Sequence, residues 1–415
     1  MLVPATGKAT RSLILSRFKP HRGELRMKIV FVSNGPTEDA IGARIAQHLA
    51  SGKEILALPL VGQGNAYVGI AQAILGPRKS MPSGGFLFGS WQNLLADLKA
   101  GFISMTLAQW RAARSLLVDA VIVVGDAYAL TVGLLAAKGA PIFHVNPLVS
   151  TYYLENASFL ELALVWGGSD FTPYERLLHR SVKAVFVRDL KSLERLKSLG
   201  VHHAYWYGSF AMDLLPPPER DLDPLVGEAP VMALIPGTRG DESFSLPLML
   251  EASLRVPLTP VVAWAKAWNA LPPLPGWQAQ EEDAYTLRLT KAGKVAWVLR
   301  GSFSAILHRS VLALSTAGTA SEQAAGLGIP IVGFPTPGPQ YTRAFARRQK
   351  RLLGPALRLT EADPHRIAAE VLFLLNAQEA YVQASQEGKR RIGPPGGITG
   401  TAQHIRNQLE NPEVS

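Results

Sequence analysis

The sequence predicts an α/β protein of two doubly wound domains, and three observations predict it. Strand-length apolar runs alternate with helix-patterned segments along most of the chain, as in βαβ units built around a parallel sheet. The rhythm stops once, over residues 214–230, where Pro216, Pro217 and Pro218 precede Glu219, Arg220 and Asp221 in what reads as an exposed, stiff linker. The third observation is size: 415 residues, 47% of them hydrophobic, favour two cores over one.

Taken in order, residues 1–26 carry Lys8, Arg11, Arg17, Lys19, Arg22 and Arg26 against Glu24, with no long apolar run and no small-residue cleavage site. They read as a disordered basic leader or a mis-assigned start. An N-terminal domain over 27–215 opens with a strand at 29–32 and a helix at 39–50. It continues with a strand at 121–124, a helix at 129–138, strands at 142–145 and 185–187, and a helix at 190–199. The apolar stretch 116–137 contains Asp119, Gly125 and Asp126, and a membrane span rarely tolerates two such carboxylates, so it reads as a buried strand followed by a core helix. After a linker at 216–230, strands at 231–235, 261–264, 295–299, 311–314 and 331–334 build a C-terminal domain over 231–380. Residues 381–415 read as a helical segment that packs back on the N-terminal domain.

Composition narrows the chemistry. With no cysteine, disulfides and thiolate metal sites are excluded, any zinc site would have to use histidine and carboxylate alone, and the nine histidines show no HExxH or similar spacing. The net charge of +10 points to an anionic partner without selecting one. In open α/β sheets ligands bind beyond the carboxyl ends of the strands, so two such domains face each other across a cleft lined by strand-to-helix loops.

Three loops of the C-terminal half stand out. In the first, residues 314–332, a strand ends in small residues and turns into a helix at Ala317, Gly318, Thr319 and Ala320. A backbone there can approach a diphosphate, and the free amides and dipole of the helix start attract it. A Thr319-x-x-Glu322 capping box explains the same residues without a ligand. The second loop, 234–242, offers Gly237 for access, Thr238 for a hydroxyl and Arg239 for bidentate phosphate contact, unless Arg239 is solvated or pairs with Asp241. A proline-stiffened turn at 335–342 presents Gln340, either to a sugar or to solvent. Phosphate contacts alone fall short: a micromolar ligand needs about 8 kcal/mol, a helix terminus supplies up to ~2 and a charged hydrogen bond ~1.5–3. Glu322, one turn into the helix beside Gln323, is therefore the candidate ribose ligand.

These residues resemble the lipid-A-disaccharide synthase-related branch of the GT-B glycosyltransferases, and more distantly the undecaprenyl-linked N-acetylglucosaminyl transferases, from Met27 to about Asn407. The strongest matches are PGTRGDE at 236–242, GTASEQAAGLGIP at 318–330, and PGPQYT, FARRQ and LLG within 337–354. In the other half, SNGPTED at 33–39 resembles the family's first glycine loop, with Pro36 and Thr37 in place of smaller residues. Asp126 stands where these enzymes carry an essential aspartate, and YGSFAMD at 207–213 is similar to the segment entering the interdomain hinge.

The resemblance implies inverting transfer of a sugar from a nucleotide diphosphate sugar, UDP-linked, to a lipid or lipid-linked acceptor. Asp126 would act as the base, with Asp39 and Glu38 in reserve. The donor would be held by Gly237, Thr238, Arg239, Ala317, Gly318, Thr319, Ala320, Glu322, Gln323 and Gln340, without a metal or other cofactor. Asn34 and Gly35 would line the acceptor side. Each of the N-terminal residues has a plainer account: Asn34 or Thr37 as a helix cap, Glu38 and Asp39 as dipole partners, Asp126 as a cap and His144 as a hydrogen-bonded core residue.

Residues 76–115 interleave Phe86, Phe88, Trp91, Phe102 and Trp110 with Arg78, Lys79, Lys99, Arg111 and Arg114, a composition suited to resting on anionic lipid or to packing inside the domain. A cytoplasmic location, peripheral on the membrane, is the expectation. The rival readings are a nucleotide-sugar 2-epimerase-like isomerase and a non-catalytic nucleotide-sugar binder. No recognised module or basic-aromatic repeat supports nucleic acid as a partner.

Overall fold

The computed structural model describes residues 26–77, 102–157 and 170–411. The basic leader, apart from Arg26, and the part of the aromatic and basic stretch at 78–101 lie outside the described residues.

In the first half the strands are β1 (Met27–Ser33), β2 (Lys53–Pro59), β3 (Ala73–Ile74), β4 (Ala120–Val124), β5 (Ile142–Asn146), β6 (Ala184–Val187) and β7 (Ala204–Tyr205). Between and after them come α1 (Pro36–Leu49), α2 (Phe102–Ser115), α3 (Ala127–Ala137), α4 (Pro173–His179) and α5 (Leu190–Ser198). The sheet is parallel throughout, in the order β3-β2-β1-β4-β5-β6-β7. Both faces are covered, which is why its strands read as continuous apolar runs. Ile29 and Phe31 enter one core with Ile41 and Ile45 of α1, while Val30 and Val32 enter the other with Leu130 and Val132 of α3.

The second half contains β8 (Val231–Ile235), β9 (Thr259–Trp264), β10 (Gln278–Asp283), β11 (Thr286–Lys291), β12 (Lys294–Arg300), β13 (Ser310–Ser315), β14 (Ile331–Gly333) and β15 (Leu357–Leu359). Its helices are α6 (Glu242–Ser253), α7 (Phe303–Arg309), α8 (Thr319–Leu327), α9 (Arg343–Leu353), α10 (Pro364–Asn376), α11 (Gln378–Ile392) and α12 (Gly397–Glu410). The order is β10-β11-β12-β9-β8-β13-β14-β15, parallel except for the antiparallel meander β10-β11-β12 at one edge. Alternate residues again divide between two cores: Val231, Ala233 and Ile235 on one face, Met232 and Leu234 on the other.

The two sheets share one topological property. Each reverses its winding direction once among the parallel strands, the first between β1 and β4, the second between β8 and β13. At such a point the loops leaving the two neighbouring strands diverge and open a crevice. The loops in question are 33–39 and 125–126 in the first sheet, 236–241 and 316–318 in the second.

The chain crosses between the halves twice, side by side. Ser209 N–H donates to Pro394 O (2.7 Å), and Asp213 accepts from Gly396 and Ile398 N–H (2.6 Å each), capping α12. Gly208 (φ +135°) is required there, because a Cβ would stand 2.8 Å from Pro394 O. Beyond this crossing α12 packs on the first half, with Ile398, Ala402 and Ile405 in the core of Ile29 and Phe31. The prolines at 216–218 are exposed. Among the described residues no helix is long and apolar enough to cross a membrane.

Candidate functional site

At the second sheet's switch point the three loops singled out above meet, and Asp241 joins two of them. It is buried, and its carboxylate accepts from Thr336 Oγ1, Gln340 N–H (3.1 Å) and Tyr341 N–H (2.9 Å). Asp241 is thus occupied, and the pairing with Arg239 that the sequence allows does not form. Gly237 adopts φ +82°, a left-handed conformation that glycine adopts without strain, and a Cβ there would lie 3.2 Å from Thr316 O. Thr316 N–H in turn donates to Ile235 O, and Gln349 Nε2 donates to Gly318 O (3.2 Å). The loop 236–241, the turn 336–341 and the start of α8 are therefore one bonded unit.

The α8 start is also decided. Gly318 is its N-cap, no side chain caps it, and Thr319 is already helical, so the Thr319 to Glu322 capping box is absent. The leading amides of Thr319 and Ala320 are left for another acceptor, at the positive end of a helix. Thr238 and Arg239 are exposed beside them, and Ala317, Gly318, Thr319, Ala320 and Gln340 are half-buried.

Glu322 and Gln323 are placed differently from a simple ribose site. Glu322 is buried and accepts from Arg188, which follows β6 on the other half, at 2.7 Å. Burial opposes the charge of Arg188, but Glu322, Tyr153 and Asp189 outweigh it and hold its pKa above the ordinary guanidinium value. Gln323 Nε2 donates to Ala211 O at 2.9 Å. In this conformation both groups tie the halves together.

Facing them, at the first sheet's switch point, lies a cluster of carboxylates. Glu38 and Asp39 occupy the first turn of α1 and are buried. Burial lifts Glu38 to about 7, the carboxylates of Asp126 and Asp39 add to the lift, and Arg239 opposes it. Arg239 therefore lies within electrostatic reach of Glu38 although the two belong to different halves. Asp39 is lifted by burial to about 6 and accepts from Ser33 Oγ at 2.6 Å, with Tyr67 OH 3.1 Å from the same hydroxyl.

Asp126 caps α3: its Oδ1 accepts from the N–H groups of Tyr128 (3.0 Å) and Ala129 (3.1 Å), and the Asn34 side chain also bonds its carboxylate. Burial still raises its pKa. Asn34 Oδ1 is buried without a hydrogen-bond partner, and Gly125 (φ +153°) keeps room for it, since a Cβ would stand 2.2 Å away. Gly35 is equally tight against Glu38 Oε2.

The structure thus brings Asn34, Gly35, Glu38, Asp39 and Asp126 into one group and Gly237, Arg239, Gly318 and Gln340 into another. Sequence reasoning missed Tyr67, Arg188 and the part Asp241 plays in holding the turn at 336–341; each acts through a partner distant in the chain, and no local pattern announces it. Two concavities lie away from this cleft, one of about 780 Å³ beside β10, β11 and β12 and one of about 500 Å³ on the outer face of α1.

No protein-family model and no curated protein matches the sequence. Solved structures share its fold. CalG4, the calicheamicin glycosyltransferase, aligns with TM-score 0.63 and 16% identity over 93% of this chain and 99% of that one. UDP-GlcNAc 2-epimerase from Neisseria meningitidis bound to UDP-GlcNAc gives 0.53 and 16% over 92% and 100%. MurG from Acinetobacter baumannii gives 0.53 and 14% over 93% and 99%. The fold is GT-B: two Rossmann-like domains facing each other across a cleft.

Proposed function

We propose that the chain is an inverting glycosyltransferase, taking a sugar from a nucleotide diphosphate sugar, UDP-linked, and passing it to a lipid or lipid-linked acceptor in the manner of the lipid-A-disaccharide synthases. The observation that carries the proposal is the convergence of the two switch-point loop groups: uncapped helix amides and a free arginine on one lip, buried carboxylates on the other. Among the neighbours, CalG4 is named a glycosyltransferase and the Neisseria meningitidis epimerase holds UDP-GlcNAc.

In the proposed reaction an acceptor hydroxyl attacks the anomeric carbon of the donor from the first-sheet side. Its proton passes to Asp126, with Glu38 and Asp39 as the neighbouring acceptors. The bond to the diphosphate breaks and the nucleotide leaves. Developing charge on the diphosphate falls on the Thr319 and Ala320 amides and on Arg239, with no metal bridging the phosphates. Glu322 takes the ribose hydroxyls once Arg188 releases it. The basic residues Arg111 and Arg114 of α2 are exposed and favour a negatively charged membrane surface for the acceptor.

The test is a product assay with UDP-sugars and lipid-linked acceptors, preceded by a thermal-shift screen, because a ligand stabilises the fold with the logarithm of its concentration over Kd. Acceptor-dependent release of UDP with a glycosylated lipid supports the proposal. One observation favours a second reading, 2-epimerisation: several carboxylates cluster at one lip, as acid and base chemistry on the sugar ring itself requires. Conversion of UDP-GlcNAc to its 2-epimer without any acceptor would establish that reading instead.

A further inference from the structure

One hydrogen bond from the Gly125–Asp126 turn, three buried side chains converge that the proposed transfer does not use. His144 comes from β5, while Glu175 and His179, one turn apart on α4, present the same helix face. His144 Nδ1 and His179 Nε2 are 3.0 Å apart, His179 Nε2 and Glu175 Oε1 are 3.8 Å apart, and ligand-type atoms of all three lie within 4.8 Å of one another. In a tetrahedral site with metal–ligand bonds of ~2.0–2.1 Å, neighbouring ligand atoms stand about 3.3 Å apart. These two separations bracket that value to within about half an ångström, and the third pair, His144 and Glu175, within 4.8 Å, draws in on binding.

The surroundings suit a metal. His144 Nε2 lies 3.0 Å from Gly125 O, so its N–H donates there and the Nδ1 lone pair faces the cluster, as a second-sphere carbonyl orients a ligating histidine. Asn146 Nδ2 donates to Glu175 Oε1 at 2.7 Å, and Asn146 is itself held by Leu148 and Val149 N–H. Both imidazoles are fully buried. Glu175 is buried, and among the described residues no lysine or arginine pairs with it.

We propose that this chain binds one zinc-like divalent cation between His144 Nδ1, His179 Nε2 and Glu175 Oε1, fastening α4 to β5 behind the aspartate-bearing turn. Two imidazole nitrogens and one carboxylate oxygen select zinc, cobalt or nickel over magnesium or calcium. Binding displaces the hydrogen bond between the imidazoles, with the His179 proton passing from Nε2 to Nδ1. The site is structural and stands apart from donor binding.

The test uses the full chain. Metal content is measured in protein as purified, and chelator-treated protein is titrated with Co2+ and Zn2+. The expected results are close to one equivalent of metal, visible d–d bands of a four-coordinate cobalt site, and a Tm higher by at least about 2 °C in excess Zn2+. Glu175→Gln and His179→Gln weaken Co2+ binding at least about 100-fold. His203→Gln, which alters a neighbour bonded to His179 O, leaves it unchanged. Folded wild type with no bound metal, no cobalt bands and an unmoved Tm overturns the proposal, whether or not the variants fold. Equal binding by wild type and both ligand variants overturns it too. UDP affinity, measured on the same samples, is independent of these results and tests the donor site separately.

Discussion

At the scale of single residues, Asp126 shows how one side chain can satisfy two accounts at once. It caps α3 through two backbone amides and stands in the carboxylate cluster facing Arg239. Asparagine also caps helices well. Asp126→Asn is therefore expected to keep the Tm within about 2 °C while lowering kcat about 10²–10⁴-fold, with UDP affinity retained; near wild-type turnover removes it as base. Arg239 is exposed and carries no structural bond, so Arg239→Ala should leave Tm alone and weaken UDP binding about 10- to 100-fold by calorimetry, as expected for losing a charged hydrogen bond. Glu38 makes a prediction about pH. Below about pH 4.5 it is protonated in both the folded and the unfolded chain; between there and about 7 only the unfolded chain ionises, so stability falls as pH rises. A shift of this size corresponds to roughly 3 kcal/mol. Asp39 adds a contribution of the same sign at lower pH. Denaturant midpoints at pH 5 and pH 8 should therefore drop less in Glu38→Gln than in wild type, and parallel curves would show that Glu38 ionises freely.

At the scale of elements, a single carboxylate joins two of the loops at the second sheet's switch point. Asp241 receives Thr336, Gln340 and Tyr341, and a Cβ on Gly338 would stand 2.5 Å from it, so the turn is moulded around its side chain. Asp241→Ala should strand buried donors and cost about 2–4 kcal/mol in urea unfolding. It should also weaken UDP binding although Asp241 itself does not reach the ligand. A stability loss with unchanged affinity would mean that the turn 336–341 takes no part in the donor site. The βα alternation was legible because both faces of each sheet are covered and every central strand is apolar. The strands that sequence reading passed over have physical excuses. β3, β7 and β15 are two or three residues long, β2 is edged by charged residues, β11 carries only two apolar residues, Leu287 and Leu289, and β10 is exposed along its whole length.

At the scale of the whole molecule, the cleft is bridged. Besides Arg188 to Glu322 and Gln323 to Ala211, Glu155 receives Arg391, and Arg391 lies 4.6 Å from the Tyr152 ring centroid. Arg348 of α9 stacks over Tyr153 at 4.1 Å. If the donor's ribose takes Glu322, it competes with Arg188. Arg188→Met is then expected to tighten UDP binding several-fold while lowering Tm, and Glu322→Gln to weaken it; equal UDP affinity in wild type and Arg188→Met would show that the pair and the ribose do not compete.

The sequence by itself determined the doubly wound class and the positions of the central strands. It also marked the glycine-containing loops that meet at the second sheet's switch point, because these depend on local periodicity and on backbone freedom encoded in neighbouring residues. It could not decide whether Thr319 caps its helix, whether Arg239 pairs with Asp241, or what Glu322 faces. Those answers come from Gly318, from the turn at 336–341 and from Arg188, partners as far as 134 residues away in the chain. The gathering of His144 with Glu175 and His179 has the same origin. Burial and charge are set by what the fold brings within a few ångströms, and that is a property of the tertiary structure alone.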